Sequence, residues 1–155
     1  MIGRQTISGG HMAAAKRKER LDIFVQMEKE TRARNETNDC TVVSLAYALR
    51  VPYDVAHLIM GKAGREHRKG ASMHVAAKLI EPGRLVEVNG LPYPPITLAE
   101  FCREHRHGRY WVGVTGHALV VENGRACDHS DKMRRRVGKA WRIHDKPQLR
   151  IENNG

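Results

Sequence analysis

The sequence predicts an α+β domain, with an N-terminal helical half packed on a C-terminal antiparallel sheet. Three observations carry this. Apolar residues up to Gly83 recur at helical spacing between short polar breaks. After Gly108 the period changes to two. The pair Asn123-Gly124 then separates two apolar runs, as a hairpin turn does.

Taken in order, residues 13–33 are helix-prone, with Leu21, Phe24, Val25 and Met27 as a short apolar stripe amid charge. "RNETND" follows as a polar turn, and Asn38 and Asp39 are candidate N-caps for the next helix. From Thr41 the residues Val42, Val43, Leu45, Ala46, Ala48 and Leu49 are dense enough for a helix buried on most sides. A helix restarts at Asp54 after Pro52 and stops at Gly61 or Gly64, and "SMHVAAKLIEPG" holds a shorter one. "LVEVNG" reads as a short strand. Thr97 and Glu100 form a capping box opening the helix "LAEFCREHRH", with Gly108 as its stop. "RYWVGVTGHALVVENGRACDH" reads as three strands joined by two tight turns, and "KAWRIH" as a further strand after a basic linker.

The chain has 155 residues, enough for one domain with a real core. "ISGGHM" reads as a cloning junction, which sets residues 1–11 aside and gives a single domain over 12–155. No apolar run approaches a bilayer span, and no signal peptide is visible, so a cytoplasmic protein without membrane insertion is expected. Three cysteines without C-x-x-C spacing argue against a disulfide scaffold and a structural zinc site, while a Cys102–Cys127 pairing stays open. His105, His107 and His129 show no recognised ligand spacing, so neither metal nor cofactor is expected.

The net charge is +10. Its clusters, Lys16–Arg20, Arg65–Lys69, Arg103–Arg109 and Arg134–Arg136, are spread along the chain. Such a balance suits a polyanionic partner, nucleic acid or cell wall. With eight aromatic residues and no helix-turn-helix, zinc-finger or RNA-recognition signature, it names none.

Chemistry is carried by a conjunction. Cys40 stands at a helix start, where open N–H groups favour a thiolate. After 77 residues Gly116-His117 opens a strand, and the hairpin through Asn123-Gly124 returns Asp128 near the level of His117. An acid there would orient the imidazole, with Asp131 or His129 as substitutes for Asp128. Read alone, Cys40 is a small buried hydrophobe, His117 one of nine histidines and Asp128 a turn residue.

The "NDC" opening and the "GHALVVENGRACD" strand pair resemble the papain-like cysteine peptidase superfamily, most of all small phage-encoded papain-like proteins and bacterial double-glycine leader peptidases. The resemblance spans Asn35 to Asp128 and implies Cys40 as nucleophile, His117 as general base and then acid, and Asp128 as the orienting residue. Two positions depart from the family: Thr41 replaces the glycine after the nucleophile, and Arg34 falls where the oxyanion-hole glutamine is expected. Asn35 is the expected side-chain oxyanion donor, with the N–H of Cys40 beside it. The leading expectation is a hydrolase that cleaves an amide in a protein or peptide substrate. A peptidoglycan amidase or endopeptidase is the second reading. A non-catalytic basic module binding nucleic acid or a host protein is the third.

Overall fold

The apolar run that begins after Cys40 forms helix α2 (Cys40–Leu49), in which seven of ten residues are buried. Around it the computed structural model, which describes residues 23–128 and 132–145, builds four more helices and a five-stranded antiparallel sheet. Residues 1–22, with the expected cloning junction, and His129 and Asp131 lie outside the described residues.

Helix α1 spans residues 23–33, and α3 (Tyr53–Lys62) follows α2 after Pro52. Helix α4 is Met73–Leu79, capped by Ser72, whose hydroxyl accepts from the N–H of Val75. Strand β1 (Leu85–Glu87) precedes α5 (Leu98–Glu104). Strands β2 (Arg109–Val114), β3 (His117–Glu122), β4 (Arg125–Cys127) and β5 (Val137–Ile143) complete the sheet, in the order β1-β5-β2-β3-β4. The α+β expectation holds.

Both faces of the sheet are covered. On one, Trp111, Ala118, Val120, Trp141 and Ile143 join the buried residues of α2 and α3. On the other, Tyr110, Val112, Leu119, Val121 and Ala140 pack with Leu98 and Phe101 of α5. Burial on both sides explains why β2 and β3 are apolar almost without interruption. Complete burial of side chains such as Val42 and Leu45 stabilises the fold by about 1.5–3 kcal/mol each.

Helix α5 starts as its capping box predicts, with Thr97 Oγ1 accepting from the Glu100 N–H at 3.2 Å. It ends at Glu104, earlier than Gly108. His105 is the C-cap, with non-helical backbone at φ −119° and ψ 66°; its ring stacks on Phe101 at 3.9 Å between centroids, and its Nδ1 lies 2.9 Å from the Phe101 carbonyl. None of the three cysteines forms a disulfide, so the bridge left open between Cys102 and Cys127 is not made. Among the described residues no single helix is long and apolar enough to cross a membrane.

The β3–β4 hairpin turns through Asn123 (φ 49°) and Gly124 (φ 76°), both in the left-handed region that a two-residue turn of this type needs. A Cβ on Gly124 would also sit 2.9 Å from the Cys102 carbonyl oxygen. Gly124→Ala should therefore lower stability by about 1–3 kcal/mol. Gly138→Ala, which has open space around it, should stay within about 0.5 kcal/mol of wild type in the same chemical denaturation.

Candidate active site

Cys40 is the first residue of α2 and is half-buried. The first bond of this helix runs from the Val43 N–H to the Asp39 carbonyl at 2.9 Å, which leaves the N–H groups of Cys40, Thr41 and Val42 ahead of the ladder. Asp39 holds the N-cap position, yet its side chain makes no cap bond. Its carboxylate instead accepts from the Tyr53 hydroxyl at 2.8 Å and from Thr31 at 2.7 Å. The helix start is thus left open on the side where the thiol lies.

The sheet brings the partners. Cys127 ends β4 paired with Val120 of β3, three residues on from His117, and Asp128 follows it directly. From there Asp128 Oδ2 lies 2.6 Å from His117 Nε2, with both side chains largely buried. The other ring nitrogen, Nδ1, is not taken by Asp128, and Cys40 stands near enough to His117 and to the backbone N–H of Ala118 for both to favour its thiolate. Asp128 and Cys40 hold the imidazolium against a smaller opposing effect of burial, and push His117 up to about 9. Burial raises the Cys40 thiol, but the bonds from His117 and Ala118 and the imidazolium charge outweigh it, even against Asp39, and the net shift is downward. Each member of the pair favours the charged form of the other.

These residues line a cleft of about 220 Å³ with Phe24, Asn38, Val43, Ser44, Gly116 and Leu119. Ser44 is fixed there, accepting from Trp111 Nε1 at 2.8 Å. Cys40, His117 and Asp128 come together, and Asn35 does not join them. Asn35 lies in the turn after α1 with φ 53°, is exposed and does not line the cleft. Asn38, also left-handed at φ 52°, does line it, with Nδ2 donating to the Arg68 carbonyl at 3.2 Å. The remaining departures turn elsewhere. Arg34 pairs with Asp54 of α3 and lies over the Tyr53 ring. Thr41 is buried, and its hydroxyl finds no partner among the described residues.

Sequence reasoning missed Glu36. Its carboxylate is wholly buried, and Arg65 Nη1 donates to it at 2.5 Å while the Arg68 N–H donates at 2.7 Å. His57 Nε2 stands 2.9 Å away and His67 Nδ1 3.2 Å. This anchor holds the polar segment between Asn35 and Asp39 inward, and so sets where Asn38 and Cys40 fall. Glu36, His57 and His67 gather one carboxylate and two imidazoles within 4.8 Å. Arg65 already neutralises that carboxylate and would repel a cation, so the cluster is an ion-pair anchor.

Burial alone would raise the Glu36 carboxyl; the bonds from Arg65, the Arg68 N–H and His57 outweigh it and hold it at about 2. Glu36→Gln leaves the Arg65 charge buried without its partner and should cost about 3–5 kcal/mol near neutral pH. The group's pKa is depressed on folding, so its contribution is present above about 4.5 and lost as pH falls through about 2. Denaturation curves of wild type and Glu36→Gln should therefore converge over that acid range.

No family model matches this chain, and neither does a curated protein or a solved structure; what the site can do is read from its own geometry.

Proposed function

We propose that the protein is a cysteine hydrolase that cleaves an amide bond, with peptide as the substrate class. The observation that carries this is the Asp128–His117 Nε2 bond, which leaves the second ring nitrogen to Cys40 at an uncapped helix start. The earlier resemblance to papain-like peptidases supports it, as does the order of a helical half followed by an antiparallel sheet.

In this reading the Cys40 thiolate attacks the carbonyl carbon, and negative charge moves to the carbonyl oxygen. The backbone N–H of Cys40, ahead of the helix ladder, donates to that oxygen. Asn38, rather than Asn35, supplies the second donor: its amide lines the cleft and has one N–H left when the other bonds Arg68. The tetrahedral intermediate collapses as His117 gives its proton to the leaving amine, and a thioester on Cys40 results. His117, now neutral, takes a proton from water, which attacks the thioester. The acid product leaves, and the thiolate and imidazolium are restored. Asp128 holds the ring in register throughout.

Cys40→Ala should abolish cleavage of a fluorogenic peptide mixture, and rapid acid quench should trap a Cys40 thioester by mass spectrometry in wild type alone. Asn38→Gly, which keeps the left-handed backbone and removes the amide, should lower kcat by about 10²–10³-fold. Asn35→Gly should leave kcat unchanged. A zymogram on cell walls run beside the peptide assay decides the substrate class. Cell-wall cleavage with intact peptides would assign the peptidoglycan reading, and equal turnover by Cys40→Ala would end the hydrolase reading.

A further inference from the structure

Two of the basic clusters, far apart in sequence, each place an arginine against residues at the rim of the cleft. Arg135 comes from the linker before β5 and donates through Nη1 to the Thr115 carbonyl at 2.8 Å. The same nitrogen lies 3.5 Å from where a Cβ on Gly116 would stand, and Gly116 is part of the cleft lining. That guanidinium covers the lip next to His117. On the other lip, Arg68 is pinned through its backbone, its N–H to Glu36 and its carbonyl to the cleft residue Asn38. Its exposed side chain reaches Thr37 Oγ1 at 3.4 Å. Among the described residues neither guanidinium pairs with a carboxylate.

The negative groups of the cleft are already engaged. Asp39 is held by Tyr53 and Thr31, and Asp128 by His117. His117 is paired with Asp128 and faces the Cys40 thiol, so the positive charge left at the lips to meet a ligand is that of the two guanidiniums, and low-dielectric walls focus its field. From this we infer that the site takes peptides with acidic side chains flanking the scissile amide, and that Arg68 and Arg135 are specificity-determining residues. The inference rests on Cys40 being the nucleophile. A guanidinium fork matches a carboxylate in a bidentate fit, and one on each lip suits a short acidic peptide laid across the thiol. Nucleic acid fits less well, because the charge brackets a small cleft and Phe24, the one aromatic in its lining, is partly buried and stacked on Tyr47.

Alkylation of Cys40 tests this without a known substrate. Rates are measured with iodoacetate and with neutral iodoacetamide, and their ratio is compared with that of free cysteine. The ratio should favour iodoacetate on the protein. Arg68→Gln and Arg135→Gln should each lower it about threefold, and salt should erode it, while Arg68→Lys and Arg135→Lys should preserve it. A short polyglutamate peptide should protect Cys40 from iodoacetamide better than an oligonucleotide of equal charge. Fast alkylation by both reagents, with a ratio indifferent to the glutamine variants, would overturn the arginine assignment and leave the nucleophile standing. Protection by the oligonucleotide alone would overturn it in favour of nucleic acid. Cys40 reacting no faster than free cysteine with either reagent would remove the nucleophile and the inference together.

Discussion

A buried helix with an open N-terminus is the constraint on which the site depends. Helix α2 is enclosed along most of its length by the sheet and by α3, so it cannot tilt to bring its first turn into bulk water. The N–H groups of that turn need negative charge or an acceptor nearby. The residue placed to cap them, Asp39, is drawn away by Tyr53 and Thr31. What remains at the helix start is a thiol facing an imidazole, and an ionised thiolate there satisfies the dipole end and the imidazolium at once.

Charge on the other side of Cys40 has a different task. The Glu36–Arg65 pair is buried, and such pairs are weak sources of net stability but costly to break. Here the pair fixes a path. Between Asn35 and Asn38 the backbone enters the left-handed region twice, with Glu36 driven into the interior between them. That path leaves Asn35 exposed and brings Asn38 to the cleft. The Arg68 N–H and carbonyl, both committed to this segment, carry the charge of the second basic cluster to the same lip.

Cys40, His117 and Asp128 are legible in the sequence because each stands beside a strong local signal. Those signals are the start of a dense apolar run, a glycine turn into a strand, and the return of an Asn-Gly hairpin. The strands and the capping box at Thr97 are legible for the same reason. Glu36 is not, since "RNETND" has the composition of a solvated turn, and its burial depends on Arg65 and His57 supplied from well along the chain. The choice between Asn35 and Asn38 is hidden too, because either asparagine tolerates positive φ and the buried anchor between them decides which one lines the cleft. The early end of α5 is not legible either, since His105 leaves helical geometry at φ −119° and ψ 66° within a run whose spacing continues to Gly108. Convergence of Arg68 and Arg135 is a property of the fold, and a list of basic clusters does not contain it.

The ionisation of Cys40 is the most direct measure of the central pair. Ultraviolet absorbance of the thiolate, titrated in wild type and corrected with Cys40→Ser, should show Cys40 ionising well below the free-thiol value of about 8.5. His117 has its pKa raised on folding, so the imidazolium that holds the thiolate is present in full below about 6.5 and lost as pH rises through about 9. His117→Ala should return the thiol to the free value or above it. A Cys40 that titrates like a free thiol in wild type, unchanged by His117→Ala, would contradict the ion pair and leave Cys40 as the first residue of a core helix.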